Sequence, residues 1–248
     1  MTADVERVDV GVLTKGKPTL GMTLATLLLQ DRVRLRLRVV DTADTPVIKR
    51  DDVLFALKLA QDRGIECEYE YSRERQRAFS VGRLRLLEAL DGPHTCYVDD
   101  DVVLPSSTLA SLATSAQRLG VYGYVAPLCV NAGASRGFLS DRPHYSPGGL
   151  FYQDGLVRAI LLDYYSTTVD VLDARGGDKV WELAFLTELF RALGRVTVVQ
   201  TDTVSYHLDY HRGMRWELTE EALLARSRAR AEALVSKHRS PTLAPGPR

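Results

Sequence analysis

The sequence has little cysteine and no long apolar run, and both absences argue against whole classes of protein. Its 248 residues contain three cysteines, Cys67, Cys96 and Cys129, and no two of them form a CxxC pair. Their odd number and wide spacing argue against a disulfide framework and a cysteine zinc site. We therefore expect the protein to be located in the reducing cytoplasm. No apolar run approaches the roughly 20 residues of a membrane span, and the first residues are too polar for a signal peptide. We therefore expect no transmembrane segment.

The chain also lacks a surplus of charge of either sign. Lysine and arginine total 32, aspartate and glutamate total 32, and the formal net charge is zero. Proteins that bind nucleic acid or anionic membranes usually carry a basic surplus, so the composition predicts neither partner. Hydrophobic residues make up 45% of the sequence, which is enough for one large α/β domain with a sizeable core.

What the sequence does contain is an apolar run that ends in three adjacent acids. Residues 95–98 predict a buried strand, Asp99, Asp100 and Asp101 follow it directly, and a second apolar run begins at Val102. Like charges repel and burial disfavours each of them, so carboxylates at this density indicate a bound divalent cation. Oxygen ligands suit Mg²⁺ or Mn²⁺, which would in turn hold substrate phosphates. The alternative is a solvated acidic turn.

Strands and helices alternate through the first half of the chain. The predicted strands are 8–13, 33–40, 65–71, 95–98 and 121–125, and the predicted helices are 19–30, 51–64, 73–91 and 106–119. This alternation is typical of a mostly parallel sheet with helices on both faces. Ligands of such sheets lie beyond the carboxyl ends of the strands. Thr14, Asp41 and the three acids all lie at such ends, which predicts a ligand site there.

The second half of the chain is less regular. Residues 126–149 are rich in glycine and proline and predict a long loop region. A helix is predicted from Val180 to Leu193, and a strand follows that ends in His207. A last helix is predicted over 217–239. The proline-containing residues 240–248 are predicted to be a disordered tail.

Four landmarks of the chain form a set. They are the strand and helix at 8–14 and 20–30, the strand end Arg38-Val39-Val40-Asp41, the motif Tyr97-Val98-Asp99-Asp100-Asp101, and Gly176-Gly177-Asp178 before a helix and a strand ending in His207. This set resembles the inverting glycosyltransferases of family 2, in which the third landmark is the DxD signature. The resemblance implies a single GT-A domain over residues 1–216, with a nucleotide-sugar-binding half at about 8–125 and an acceptor-binding and catalytic half at 126–216.

The resemblance also implies a metal site and a donor site. The implied ligands of Mn²⁺ or Mg²⁺ are Asp99, Asp101 and His207. The implied contacts of the donor nucleotide are Thr14, Asp41, Arg83, Asp99, Asp100, Arg212 and Arg215. The residue patterns alone leave other roles open, because Asp41 is also a good turn cap, Arg83 fits a solvated helix face, and a lone histidine is often structural.

The late landmark implies a catalytic carboxylate. Inverting transfer needs one carboxylate that takes the acceptor proton while the acceptor attacks the anomeric carbon. Asp178 is predicted to be this base, and Glu182, one turn further on, is the second candidate. Asp178 would also serve well as the N-cap of the following helix.

The function implied is therefore a metal-dependent transferase that moves a hexosyl or N-acetylhexosaminyl group from a UDP-sugar, with inversion. Its acceptor would be a small molecule, carrier-bound or lipid-linked, in a natural-product pathway, and the enzyme could act as a homodimer. Two alternatives come from other classes. A nucleotidyltransferase acting on a sugar phosphate would release pyrophosphate, and a non-catalytic nucleotide-sugar-binding protein would bind the donor without turnover.

Overall fold

The computed structural model of the protein describes residues 7–74, 78–120, 122–132, 138–140, 146–172, 182–208 and 220–239. The strands in these ranges are β1 (Arg7–Thr14), β2 (Arg34–Asp41), β3 (Glu66–Tyr71), β4 (His94–Asp99), β5 (Val102–Val103), β6 (Tyr122–Asn131), β7 (Phe138–Ser140), β8 (Leu150–Tyr152) and β9 (Val196–His207). The α-helices are α1 (Leu20–Leu28), α2 (Asp51–Asp62), α3 (Ala78–Ala89), α4 (Thr108–Leu119), α5 (Gly155–Leu172), α6 (Glu182–Ala192) and α7 (Glu220–Arg239). The predicted tail at 240–248 lies outside the described residues.

The nine strands of the described residues belong to one sheet, in the order β3-β2-β1-β4-β8-β6-β9-β5, with β7 paired to β6. Strands β1 to β4 are parallel to one another, as the alternation of the first half predicts. The second half joins them through the antiparallel pair β4–β8 and adds a parallel pair, β6–β9. Because this one sheet crosses from the first half of the chain to the second, the described residues form a single α/β domain.

Helices cover both faces of the sheet. Successive strand side chains point to opposite faces, so Val10 of β1 packs in a core with α1, α2 and α4. Leu13 of the same strand packs in a second core with α3, α5, α6 and α7. No helix in the described part of the chain is long and apolar enough to cross a membrane.

Two features of the second half differ from the sequence-based expectation. The loop predicted from residue 126 is wrong over its first part, because β6 continues to Asn131. Pro127 lies inside β6, where a register shift beside it lets the strand stay paired with β9, as prolines at bulges can. The 18-residue helix α5 was not predicted at all. It packs between α3 and α7, and this burial on two sides obscures a one-sided apolar pattern.

Close contact between β6 and α6 allows a direct test of the packing. A Cβ added at Gly123 would lie 2.3 Å from Cβ of Phe190, so α6 would have to move away from the sheet. We expect Gly123→Ala to lower the free energy of unfolding by about 1–3 kcal/mol, the usual cost of overpacking. Urea unfolding would measure it. Gly155→Ala is the matched control, because an added Cβ there meets no atom within 4 Å. Equal stabilities for the two variants would contradict this account of the packing.

Candidate functional site

The loop after β1 is fastened to the acidic run after β4. The hydroxyl of Thr14 donates to Oδ2 of Asp100 at 2.7 Å, and the backbone N–H of Lys15 donates to the same oxygen at 3.2 Å. The Thr19 hydroxyl donates to the backbone carbonyl of Asp100 at 2.9 Å. Asp100 is buried, and burial raises its pKa above the ordinary value despite the bond from Thr14. Asp100 therefore joins two strand ends that lie 86 residues apart.

Asp101 lies between a lysine and a histidine side chain. Nζ of Lys17 donates to its Oδ2, and Nε2 of His207 lies 3.2 Å from the same oxygen. Asp101 is 1% exposed, and its Oδ1 accepts no hydrogen bond from the described residues. Burial acts to raise the pKa of Asp101, but His207 and Lys17 outweigh it and the pKa falls below the ordinary value. Asp101 is therefore a buried carboxylate with one oxygen that has no partner within the described ranges.

His207 is oriented from its other side by Asn131. These two residues are paired across β6 and β9, and Nδ1 of His207 lies 3.0 Å from Oδ1 of Asn131. An amide oxygen only accepts, so Nδ1 is the donor and Nε2 is directed towards Asp101. Burial acts to lower the pKa of His207, but Asp101 outweighs it and raises the pKa. Sequence reasoning missed Asn131 because it was assigned to a loop.

A second buried charge network lies beside the acidic run. Arg83 of α3 donates from Nε to Oε2 of Glu182 at 3.0 Å, and its Nη2 lies 3.2 Å from Oδ1 of Asp99. The hydroxyl of Tyr165 donates to the other oxygen of Glu182, and Arg83 also stacks over the ring of Tyr97. Burial acts to lower the pKa of Arg83, but Glu182 and Asp99 outweigh it and raise the pKa. Arg83 is thus a buried cation, not a residue of a solvated helix face.

Asp41 lies at the end of β2 and is fully buried. Its carboxylate accepts hydrogen bonds from the backbone N–H groups of Ala43 and Val47, both at 2.8 Å, and from the hydroxyl of Tyr69 at 2.5 Å. Burial and this contact with Asp41 raise the pKa of Tyr69. In this geometry Asp41 caps the turn after β2, the alternative role that the sequence left open.

The residues around Asp101 can be tested for their fit to a divalent cation. Asp101 offers an oxygen without a partner among the described residues, and a histidine nitrogen lies beside it. Within the described ranges, no three His, Cys, Asp or Glu side chains are close enough together to hold a metal ion, so Asp99 does not complete a three-ligand set. Mg²⁺ commonly uses one or two carboxylates together with waters and substrate phosphates. Asp101 and His207 fit a cation held in that way.

The predicted site residues thus fall into four groups. Thr14, Asp100, Asp101 and His207 meet at the carboxyl ends of β1, β4 and β9. Arg83, Asp99 and Glu182 form the adjoining network, and Asp41 lies at the neighbouring end of β2. Asp178, Arg212 and Arg215 lie outside the described residues.

The similarity of this chain to known proteins lies in its fold. No protein-family model matches the chain, and no protein of curated function matches its sequence. The structure is similar to S. aureus TarS 1-349 in complex with UDP-GlcNAc, with a TM-score of 0.61 and 14% identity over 94% of this chain and 71% of that one. A longer TarS crystal structure has a TM-score of 0.59 and 14% identity over 90% of this chain, which spans only 43% of that chain.

A second enzyme has a related architecture. The mannosyltransferase PcManGT from Pyrobaculum calidifontis, in complex with GDP-Man and Mn²⁺, matches with a TM-score of 0.51 and 16% identity over 93% of this chain and 73% of that one. At such low identities the likeness establishes the fold alone. The predicted fold is confirmed, and this chain has the α/β GT-A fold of the TarS and PcManGT glycosyltransferases.

Proposed function

We propose that this protein is a glycosyltransferase that uses a nucleotide-sugar donor and a divalent cation. One observation carries the proposal: the buried carboxylate of Asp101 has an oxygen without a partner among the described residues and lies beside the imidazole of His207. This pair lies at the carboxyl ends of the strands, where ligands of open α/β sheets bind. The fold shared with TarS and PcManGT supports the same conclusion.

Asp101 and His207 are proposed to hold Mn²⁺ or Mg²⁺. When bound, such an ion neutralises charge on the diphosphate that leaves the sugar, a Lewis-acid role. Asn131 orients His207 by accepting from its Nδ1, as partners of metal-binding histidines commonly do. Asp99 is half-exposed and paired with Arg83, which supports a contact with the donor rather than with the ion.

The nucleoside is proposed to bind near the ends of β1 and β2. Asp41 already accepts three hydrogen bonds from neighbouring residues, so we propose that it shapes this part of the site through residues 43–47. Thr14 and Asp100 hold the adjoining loop against the acidic run. A UDP-sugar is the proposed donor, since TarS has been crystallised with UDP and with UDP-GlcNAc. Arg212 and Arg215 are proposed to close over the diphosphate.

Of the two candidate bases we propose Asp178. Both carboxylate oxygens of Glu182 are engaged, one by Arg83 and the other by Tyr165. A carboxylate held in this way has no free oxygen for the acceptor hydroxyl, whereas general base catalysis needs direct contact with the proton. Glu182 is instead proposed to position Arg83. Inversion at the anomeric carbon and a small-molecule, carrier-bound or lipid-linked acceptor complete the proposal.

A thermal-shift screen of nucleotides with and without Mn²⁺ tests the donor. We expect UDP with Mn²⁺ at 100 times its dissociation constant to stabilise the fold by about 2.7 kcal/mol. For a domain of this size that corresponds to a rise of roughly 5–11 °C in the melting temperature. UDP without a divalent cation should give a much smaller rise. If no nucleoside diphosphate raises the melting temperature under either condition, the proposed donor site is wrong.

Turnover assays separate the proposed function from its two alternatives. Release of UDP from a UDP-sugar together with glycosylation of an acceptor is the expected result. Release of pyrophosphate from a nucleoside triphosphate and a sugar phosphate would identify a nucleotidyltransferase instead. Donor binding without turnover across a broad set of acceptors would indicate a binding protein.

A further inference from the structure

Lys17 contacts the carboxylate that is proposed to bind the metal, and neither the sequence patterns nor the proposed mechanism assigns it a role. Its Nζ donates to Oδ2 of Asp101, and its side chain is only 32% exposed. The other side chain on this oxygen is His207. The remaining oxygen of Asp101, Oδ1, is buried and has no hydrogen-bond partner among the described residues. An ammonium group therefore lies within the cation site itself.

The loop that carries Lys17 is held in place on both sides. Arg50 donates from Nη1 to the carbonyls of Gly16 at 3.2 Å and Lys17 at 2.7 Å, and from Nη2 to the carbonyl of Pro18 at 3.0 Å. Gly16 has a φ of +88°, a conformation that favours glycine. Thr14 and Thr19 fasten the same loop to Asp100. The backbone thus presents the lysine to Asp101 and does not leave it free on the surface.

An ammonium group and a divalent cation at one carboxylate oxygen repel each other. The repulsion is strong where Asp101 lies, because buried charges are poorly screened by water and salt. A cation on Oδ2 takes the place of Nζ of Lys17, and a cation on the partnerless Oδ1 of the same carboxylate still lies close enough to the ammonium group to be repelled by it. The contact of Lys17 with Asp101 thus opposes the binding of metal at the same carboxylate.

We propose that Lys17 is an in-built competitor of the divalent cation at Asp101, so that its ammonium group lowers the affinity of the site for metal. This inference rests on the metal site of the proposed function and adds a residue that sets its affinity. Removing the ammonium should strengthen metal binding. A substitution that merely damages a metal site weakens metal binding, so the expected change in affinity has the opposite sign.

Calorimetric titration with Mn²⁺ alone, without nucleotide, tests the inference on the full chain. We expect Lys17→Met to bind Mn²⁺ about 10- to 100-fold more tightly than the wild type, the range over which neighbours of metal ligands change affinity. Lys17→Arg keeps the charge and should retain the weak wild-type binding. Lys15→Met removes an equal charge from an exposed neighbour and should change the affinity less than about threefold.

The outcomes distinguish this inference from the proposed function. Equal or weaker Mn²⁺ binding by Lys17→Met, with an unchanged melting temperature, would overturn the role of Lys17. A similar gain in Mn²⁺ affinity in Lys15→Met would overturn it as well, because the gain would then come from the loss of any nearby positive charge and not from the contact with Asp101. UDP binding by the wild type, measured in parallel with Mn²⁺ present, tests the proposed function separately. If UDP binds and the Lys17 variants behave alike, the function stands and the inference fails.

Discussion

Asp101→Asn is expected to remove Mn²⁺-dependent binding of UDP, and turnover with it, by more than about 100-fold. Residues that merely orient a metal ligand already change affinity about 10- to 100-fold, so loss of the ligand charge itself should exceed that range. Asparagine keeps the shape of the side chain but leaves Lys17 and His207 without the anion that they share. The ammonium group of Lys17 would then repel an incoming metal ion without a carboxylate to offset it.

Calorimetry with UDP and Mn²⁺ measures this effect, and thermal unfolding checks the fold. The loss of stability should be smaller than the 3–5 kcal/mol typical of breaking a fully buried ion pair, since the side chain of Lys17 is partly exposed. Asp62→Asn is the control, because Asp62 is an exposed acid on α2 that pairs with Lys58. Wild-type binding of UDP with Mn²⁺ by Asp101→Asn would show that the metal site lies elsewhere.

Arg83→Met is expected to lower the free energy of unfolding by about 3–5 kcal/mol, the usual cost of leaving a buried charge without its partner. Arg83 is 2% exposed, and its guanidinium is 2.8 Å from the carboxylate of Glu182, which is 5% exposed. Methionine fills similar space but gives that carboxylate no positive charge. Asp99 would also lose its contact with Arg83, so donor binding should weaken together with stability.

A double variant makes this prediction specific to the buried pair. Arg83→Met combined with Glu182→Leu should recover most of the stability, because apolar replacement of a whole buried ion pair is often neutral. Arg85→Met on the same helix removes an arginine that is 42% exposed and paired with Glu70, and should cost less than about 1 kcal/mol. Urea unfolding at 25 °C measures all three. Equal losses for Arg83→Met and Arg85→Met would contradict the account of the network.

The polar ends of the strands could be predicted from the sequence because each depends only on the order of neighbouring residues in the chain. Apolar runs that end in Thr14, Asp41 and Asp99 identify strands and their carboxyl ends, and parallel strands must bring those ends to one edge. The structure has these ends side by side, with β1 between β2 and β4. His207 belongs to the same group, since the sequence predicted a late strand that ends in it.

The partners of these residues could not be predicted in the same way. Lys17 and Asn131 were not singled out for the site, and Tyr165 lies in a helix that the sequence did not predict. Arg83 was compatible with a solvated helix face, yet it is buried against a carboxylate 99 residues away. Asp41 was expected to face a ligand, but its oxygens accept bonds from its own turn and from β3. Each of these outcomes depends on which helix packs over which strand.

The sequence by itself determined that acidic and hydroxyl side chains collect at one edge of a largely parallel sheet. Only the tertiary structure decided how their charges are balanced, with Lys17 and His207 on Asp101 and Arg83 between Glu182 and Asp99. The physical reason is the distance along the chain over which each feature is determined. Strand and helix patterns follow from neighbouring residues, whereas burial and ion pairing follow from contacts between segments that are distant in the chain and close only after packing.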